Sequence, residues 1–173
     1  MITLILGPMF SGKSSYLLIT EHKAMIANKK VVWFKHSIDT RYDEAIIINH
    51  DKKQSKSKVI VTDKLLNNDE YIKNASIILI DEGQFFEDIL EFCKNNRDKQ
   101  IFISALSGDF QKEMFKPIVD IIPFVDKIIH QTAICKLCGE DAPFTQRLTA
   151  NKNQTVVGGI DDYEPRCYKC YVD

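Results

Sequence analysis

A loop framed by two glycines, placed directly after an apolar N-terminal run, constrains this chain more than any other feature. The loop reads Gly-Pro-Met-Phe-Ser-Gly-Lys-Ser over residues 7–14, the apolar run covers residues 2–6, and a helix-like segment follows over residues 15–27. In a phosphate-binding loop of this pattern, successive backbone N–H groups point at one anion, and the positive end of the following helix adds to the attraction. A glycine-rich turn before a helix would explain the same letters, but the strand–loop–helix order favours binding of a nucleoside triphosphate.

Two acids follow a second apolar run and complement the loop. Residues 77–80 are all aliphatic and lead into Asp81 and Glu82. Lys13 is expected to contact the outer phosphates, while the Ser14 hydroxyl and the Asp81 carboxylate hold Mg²⁺. Because side chains alternate along a strand, Glu82 can face a different partner and accept a proton from the attacking oxygen. The alternative is that both acids only stabilise the N-terminal end of the next helix.

Four of the five cysteines form two identical Cys-x-x-Cys pairs, Cys135 with Cys138 and Cys167 with Cys170. The repeated pair favours a structural zinc ion held by four thiolates. A redox pair or chance spacing would also give this motif, but neither requires a second copy. The fifth cysteine, Cys93, lies on an apolar helical stripe and is expected to be a core thiol.

Bulk composition describes one ordinary globular domain, with or without a small appendage. The 173 residues are 45% hydrophobic and 27% charged, with a formal net charge of −1. This charge balance gives no electrostatic preference for nucleic acid or for an anionic membrane. The lysine-rich segment at residues 51–58 is expected to be a solvated hairpin tip or a mobile loop rather than a nucleic-acid patch, because no aromatic residues interleave. No apolar stretch approaches the length of a bilayer span, so a cytoplasmic enzyme is expected.

Short apolar runs alternate with helix-like segments along the chain. Runs without polar alternation are typical of strands covered on both faces, and their alternation with helices predicts a doubly wound α/β fold on a parallel sheet. Ligands bind at the carboxyl ends of the strands in such folds. The predicted strands lie at residues 2–6, 31–34, 59–61, 77–80, 101–104 and 127–129, and the predicted helices at 15–27, 69–74, 86–95 and 114–122.

The attacking oxygen can belong to water, as in ATPases and GTPases, or to an alcohol, as in kinases. The chain has no Asn-Lys-x-Asp guanine motif, and it lacks the second domain or basic track of a helicase-type ATPase. Four phenylalanines after strand ends offer a stacking slot for a flat ring, although core packing explains such residues equally well. A small-molecule kinase is therefore favoured. The four are Phe85, Phe86, Phe110 and Phe115.

Longer strings along the chain resemble one family of kinases. Besides the phosphate loop and the two cysteine pairs, they are Asp-Thr-Arg-Tyr at residues 39–42, Asp-Glu-Gly-Gln-Phe-Phe at 81–86, Gly-Asp-Phe-Gln at 108–111, Gly-Gly at 158–159 and Tyr163. Over essentially the whole chain, this pattern resembles the type II thymidine kinases of animal cells, many bacteria and large DNA viruses. The resemblance implies a P-loop NTPase-like core, a parallel sheet flanked by helices, at residues 1–132. It also implies a small zinc-binding lasso domain at residues 133–173 that covers the nucleoside.

The resemblance further implies ATP-dependent phosphorylation of the thymidine 5′-hydroxyl to dTMP, a step of DNA precursor salvage. Glu82 would be the general base, and Arg41 would stabilise charge on the transferring phosphoryl group. The phosphate loop and two further strings would bind ATP. The implied ATP contacts are Gly7, Pro8, Met9, Phe10, Ser11, Gly12, Lys13, Ser14, Asp39, Thr40, Arg41, Asp81, Glu82, Gly83 and Gln84.

The nucleoside pocket implied by the resemblance draws on both parts of the chain. Backbone groups of Val156 and Gly158 would read the polar edge of the thymine, and Phe85 and Phe110 would flank its ring. Thymidine differs from deoxyuridine by the 5-methyl group of the base, and a pocket that contacts one methyl group separates two such substrates by only about 1–3 kcal/mol. Deoxyuridine is therefore expected to be a poor substrate rather than an excluded one. The implied nucleoside contacts are Met9, Phe85, Leu106, Phe110, Phe115, Thr145, Gln154, Thr155, Val156, Val157, Gly158 and Tyr163.

Similar enzymes are usually tetramers that dTTP inhibits, so a homotetramer and feedback by dTTP are expected of this chain. Two other functions stay open. One is a different P-loop deoxynucleoside kinase, and the other is an ATP-hydrolysing binding module in which Glu82 orients water.

Overall fold

A six-stranded sheet forms the centre of the molecule in the computed structural model. Each neighbouring pair of strands in this sheet is parallel. The structure describes residues 1–39, 46–49, 52–151, 153–154, 158 and 161–172. The strands of the sheet are β1 (Ile2–Gly7), β2 (Val31–His36), β3 (Lys58–Thr62), β4 (Ile77–Asp81), β5 (Gln100–Leu106) and β6 (Lys127–His130).

The strand order brings distant parts of the chain to one edge of the sheet. The order is β3-β2-β4-β5-β1-β6, so β5 lies between β1 and β4. Because these three strands are parallel, their carboxyl ends meet at the same edge. That edge receives the phosphate loop after β1, the two acids at the end of β4 and the Gly-Asp-Phe-Gln string after β5. The predicted α/β fold on a parallel sheet is confirmed.

Two helices start later than the apolar pattern predicts. The predicted helix at residues 86–95 starts late, because the 3₁₀ turn at Gly83–Phe85 ends with Phe86 in an extended conformation. The predicted helix at residues 114–122 also starts late, with a proline in its first turn, where a fixed φ and a missing N–H are tolerated. Of the helices in the described ranges, none combines the length and the apolar character needed to cross a membrane. The helices are α1 (Lys13–Ile26), α2 (Asp69–Ile72), α3 (Ile89–Asn95) and α4 (Lys116–Ile121), with a second 3₁₀ turn at Ile122–Phe124.

Apolar clusters cover both faces of the sheet. One cluster packs α3 and α4 on the sheet, and the other packs α1 on the sheet. Strand β4 is buried at every position, as its unbroken aliphatic run predicts, whereas β6 is an edge strand and largely exposed. The Cys93 thiol on α3 is buried, and burial raises its pKa to about 12, so the thiol stays protonated and unreactive.

Two small antiparallel strand pairs follow the large sheet. Strand β7 (Ala133–Ile134) pairs with β8 (Asp141–Ala142), and β9 (Phe144–Arg147) pairs with β10 (Tyr163–Arg166). A small apolar cluster forms in this region, and Phe10 of the phosphate loop packs against it. The division into two domains between residues 132 and 133 stays a prediction.

The described part of the lysine-rich segment, residues 52–58, lies against α1 and forms an antiparallel bridge to the residues before it. The backbone N–H groups of Lys56 and Ser57 donate to the Glu21 carboxylate at 3.1 and 2.7 Å. The Trp33 indole N–H donates to the same carboxylate at 2.9 Å. Glu21 is therefore a buried acid whose charge is stabilised by hydrogen bonds from two other segments.

Replacement of this buried acid is expected to destabilise the fold. In Glu21→Ala, the Trp33 indole and two backbone N–H groups lose their acceptor, which should lower the free energy of unfolding by about 2–4 kcal/mol. Urea unfolding followed by fluorescence of the single tryptophan measures this change. The control is Glu91→Ala, at an exposed position of α3, which should change the free energy by less than about 0.5 kcal/mol. Equal stability of the two variants would contradict the role of Glu21.

Candidate active site

The phosphate loop leaves β1 at Gly7 and reaches α1 through two residues in the left-handed region. Phe10 has a φ of 65°, and Gly12, the N-cap of α1, has a φ of 83°. A Cβ at Gly7 would lie 2.5 Å from the Ser11 hydroxyl oxygen and 2.6 Å from a backbone carbonyl oxygen. Only glycine fits this close approach, so the first glycine of the motif is required by packing and the second by conformation.

Ammonium, hydroxyl and carboxylate groups converge beside the loop. The Lys13 ammonium is buried and donates to the Pro8 carbonyl at 2.7 Å. The Ser14 hydroxyl donates to the Asp81 carboxylate, whose two oxygens lie 3.1 and 3.0 Å from it, and the Ser104 hydroxyl also donates to Asp81. Hydroxyl and carboxylate oxygens are ligands that Mg²⁺ accepts, so Ser14 and Asp81 form a donor set that fits this ion or its water shell.

Glu82 follows Asp81 in a left-handed conformation, with φ of 52° and ψ of 48°. This conformation is costly for a residue other than glycine and persists where surrounding contacts enforce it. The Gln84 amide donates to the Glu82 carboxylate at 2.6 Å, and its own carbonyl oxygen accepts the backbone N–H of Leu106 at 3.2 Å. Gln84 thus links the Glu82 carboxylate to the end of β5. The neighbouring Asp81 carboxylate instead accepts the Ser14 hydroxyl.

A partly open cavity lies beside Glu82. Apolar atoms form most of its exposed wall, and seven of its fifteen lining residues are polar or charged. A mainly apolar wall with polar groups placed in it is typical of a small-molecule site. Its lining residues come from the phosphate loop, from the end of β5 and the segments that follow β2, β4 and β5, and from β9, β10 and the stretch between them. They are Met9, Asp39, Glu82, Gln84, Phe85, Leu106, Gly108, Asp109, Phe110, Phe115, Thr145, Arg147, Gln154, Gly158 and Tyr163.

Hydrogen bonds join the core, residues 1–132, to the C-terminal unit, the residues from 133 onward, at this cavity. The backbone N–H of Met9 donates to the Thr145 hydroxyl at 2.9 Å. The Gln154 amide donates to the Asp109 carboxylate at 3.0 Å, while the other Asp109 oxygen accepts two backbone N–H groups of its own loop. The phosphate loop and the loop after β5 are therefore both tied to the unit that carries the cysteines.

The four phenylalanines divide between cavity and core. Phe85, Phe110 and Phe115 line the cavity, and the rings of Phe85 and Phe115 meet edge to face at 6.5 Å. Phe86 is fully buried and packs against the His36 ring at 4.8 Å. Burial lowers the pKa of His36, and the nearby carboxylates of Asp63 and Asp88 oppose this only in part. Three of the four thus contribute flat surfaces to the cavity, and the fourth contributes to packing.

The four paired cysteines form one cluster. Their sulfur atoms all lie within 4.8 Å of one another, and those of Cys138 and Cys167 are 3.5 Å apart. Tetrahedral zinc with bonds of about 2.3 Å requires sulfur separations of about 3.8 Å, so the donor set fits a structural zinc ion. Backbone N–H groups, that of Cys167 foremost, lower the pKa of Cys135 to about 6. Hydrogen bonding with Cys167 raises the pKa of Cys170 to about 12, so the thiols do not all ionise without a cation among them.

A family model described as thymidine kinase matches residues 1–171. The chain belongs to the thymidine kinase family. It is 42% identical to the thymidine kinase of variola virus over 174 aligned positions, which cover 99% of this chain and 97% of the viral protein. The thymidine kinases of vaccinia virus, strain Western Reserve, and of monkeypox virus are each 40% identical, with the same coverage. The resemblance drawn from the motifs is confirmed.

In this thymidine kinase family chain, every described residue that the resemblance implied as a nucleoside contact lines the cavity. Five of the implied nucleoside and ATP contacts lie outside the described residues, and one of the five is the implied catalytic arginine. Among the other implied ATP contacts, Asp39 lines the cavity. Gly83 packs so closely that a Cβ there would lie 2.5 Å from an Ile103 methyl group. The Ser11 hydroxyl is buried and has no hydrogen-bond partner among the described residues. The residues outside the description are Thr40, Arg41, Thr155, Val156 and Val157.

Three cavity residues of this thymidine kinase family chain, Gly108, Asp109 and Arg147, were not predicted as site residues. The first two belong to the Gly-Asp-Phe-Gln string, in which only Phe110 has an expected role. Arg147 lies two positions after Thr145 on β9, and both side chains are buried. Since alternate residues of a strand share a face, the strand period places Arg147 beside Thr145 once β9 is known to be a strand.

Proposed function

We propose that this chain transfers the γ-phosphoryl group of ATP to the 5′-hydroxyl of thymidine, giving dTMP and ADP. The observation that carries the proposal is the cavity, which is lined by Met9 of the phosphate loop, by Glu82 and by Thr145 and Tyr163 of the C-terminal strands. In a chain of the thymidine kinase family, a cavity that adjoins the phosphate loop supports direct phosphoryl transfer from ATP to the nucleoside, because the acceptor hydroxyl must lie next to the phosphates.

Triphosphate binding uses the phosphate loop together with Lys13. On arrival of ATP, the Lys13 ammonium exchanges the Pro8 carbonyl for β- and γ-phosphate oxygens, while backbone N–H groups at the start of α1 point at the phosphates. Ser14 and Asp81 are the residues that hold Mg²⁺, which supplies neutralising charge at the phosphates when bound.

Replacement of the Asp81 carboxylate should weaken the use of Mg²⁺ more than the use of thymidine. In Asp81→Asn, the Mg²⁺ concentration for half-maximal activity should rise by about 10- to 100-fold, since the ion and its water shell lose a charged ligand. A titration of activity with Mg²⁺ at saturating thymidine measures this. Asp120→Asn, an i,i+4 partner of Lys116 on α4, is the control. The same half-maximal concentration for both variants would remove Asp81 from the metal site.

Glu82 is the base that accepts the 5′-hydroxyl proton in this proposal. Its carboxylate lines the cavity and is oriented by the hydrogen bond from Gln84. As the 5′-oxygen bonds to the γ-phosphorus, the bond from that phosphorus to the β–γ bridging oxygen breaks, and ADP leaves with the bonding electrons. Arg41 is proposed on the family resemblance alone to stabilise charge on the transferred group.

Thymine recognition is proposed to combine flat apolar walls with backbone polar groups. Phe85 and Phe110 flank the base, and the Gly158 backbone reads the polar edge. The pocket for the 5-methyl group is lined by Met9, Leu106, Thr145 and Tyr163. The support is that these seven residues line one cavity. Apolar walls discriminate weakly between rings that differ by one methyl group, so deoxyuridine should be phosphorylated poorly but measurably.

The zinc-bearing unit is proposed to be the lasso that covers the nucleoside. Zinc held by four thiolates would pin both ends of the stretch between the cysteine pairs and make it a tethered loop at modest entropic cost. The clustered sulfur atoms and the contacts of Thr145 and Gln154 with the core support this. A homotetramer and feedback inhibition by dTTP are proposed on the family resemblance alone. A cytoplasmic location stays an expectation drawn from the sequence.

An assay of ADP release with and without thymidine tests the proposed function. ADP production should require thymidine, and dTMP should form in equal amount. Thymidine-independent ADP release would favour an ATP-hydrolysing binding module instead. Deoxycytidine and deoxyguanosine, tested as acceptors in place of thymidine, separate a thymidine kinase from another deoxynucleoside kinase.

A further inference from the structure

Arg147 is a buried cation at the end of β9, only 8% exposed. It donates five hydrogen bonds, which match the five N–H donors of a guanidinium group. Three go to backbone carbonyls of the segment that follows β9, those of Asn151 at 2.8 Å, Asn153 at 2.6 Å and Gln154 at 3.1 Å. The other two go to the Tyr163 hydroxyl, at 3.2 and 2.9 Å. The Arg147 side chain thus joins the segment that follows β9 to the start of strand β10.

The same guanidinium group also contacts the core. Its central carbon lies 3.8 Å from the centre of the Phe110 ring, close enough for a cation–π interaction. Phe110 belongs to the loop after β5, whereas Tyr163 and Gln154 belong to the C-terminal unit, and all three line the cavity. Arg147 therefore joins walls of the cavity that come from two separate parts of the chain.

A second, independent contact fastens Phe110 to the C-terminal unit. The Tyr171 hydroxyl donates to the Phe110 backbone carbonyl. Tyr171 directly follows the last cysteine of the cluster, and its ring packs edge to face on Phe144 of β9 at 5.7 Å. Phe110 is thus held at its ring by Arg147 and at its carbonyl by Tyr171.

We propose that Arg147 is a positioning residue for the nucleoside: it fixes the lasso backbone and the Phe110 ring in the geometry that thymidine requires. This inference rests on the proposed function. By binding three carbonyls, the guanidinium group orders the segment after β9 before thymidine arrives. Without it, part of the binding free energy would be spent on ordering that segment. The interactions that Arg147 makes serve nucleoside binding and not phosphoryl transfer. Their removal should therefore lower thymidine affinity, while kcat and ATP affinity stay close to their original values.

Two variants of Arg147 test this inference. Arg147→Met keeps the length of the side chain without its donors, and Arg147→Lys keeps the charge without the planar fork. In Arg147→Met, the thymidine KM and the thymidine Kd from calorimetry should rise by about 10- to 100-fold, with a smaller rise in Arg147→Lys. In both, kcat should stay within about threefold, and the ATP KM and the zinc content should match the parent protein. Arg97→Met, which removes an exposed arginine that pairs with Asp126, is the control and should leave all five quantities unchanged.

Tyr171→Phe removes only the hydroxyl and tests the second contact to Phe110, with an expected rise in thymidine KM of about three- to tenfold. It also serves if Arg147→Met fails to fold. An unchanged thymidine KM in Arg147→Lys and Tyr171→Phe would overturn the inference. Parallel losses of zinc, ATP affinity and thymidine affinity would overturn it as well, because they describe general unfolding. A parent protein that does not bind thymidine at all would overturn the proposed function itself, which the calorimetry of the unaltered chain detects first.

Discussion

Glu82→Gln is expected to lower kcat by about 10²- to 10⁴-fold, because the substituted amide cannot accept the 5′-hydroxyl proton. The ATP KM should stay close to the original value, since the phosphate loop and Lys13 are untouched. Glutamine is nearly isosteric with glutamate, so the left-handed turn at this position is kept. Steady-state kinetics with saturating ATP and thymidine measure the effect.

Glu87→Gln is the matched control for this prediction, because Glu87 is exposed and does not line the cavity. Its kcat should equal that of the parent protein. Unchanged turnover in Glu82→Gln would exclude Glu82 as the base, even if thymidine phosphorylation itself were demonstrated.

Cys167→Ser is expected to weaken zinc binding by more than about 100-fold, since one of four thiolate ligands is lost. The stretch between the cysteine pairs then loses its tether, and the thymidine KM should rise by about tenfold or more. Metal content measured by mass spectrometry and thymidine KM measured on the same sample test both parts.

Cys93→Ala is the control for the zinc prediction, because Cys93 is buried on α3, away from the cluster. It should keep its zinc and its thymidine KM, with a modest loss of stability from the small cavity in the core. A metal-free Cys167→Ser protein with a normal thymidine KM would refute the tether.

The apolar runs predict all six strands of the large sheet, because each run is short, mostly apolar and separated from the next by a turn or a helix. The strand order does not follow from these runs. The placement of β1 between β5 and β6 depends on which buried faces pack together across long stretches of chain. The helix ends are also set by local tertiary contacts, as the 3₁₀ turn at Gly83–Phe85 shows by delaying the start of α3.

Spacing alone implies a chemistry only for the site residues in dense motifs, such as the phosphate loop and the cysteine pairs. Leu106 and Thr145 stand outside such motifs and are predicted only through the family resemblance. Arg147 stands in no such motif, and its five hydrogen bonds go to one hydroxyl and to backbone carbonyls, which carry no signal in the amino-acid letters. Asp109 bonds the Gln154 amide across a long stretch of chain. Such partners become visible only after the two parts of the chain are brought together.

A crystal structure with thymidine and a non-hydrolysable ATP analogue tests the central claim most directly. The account predicts a Glu82 carboxylate oxygen within about 3.2 Å of the thymidine 5′-oxygen, or one water away, with that oxygen in line with the γ-phosphorus. A carboxylate more than about 5 Å from the 5′-oxygen, with no water between them, would contradict it.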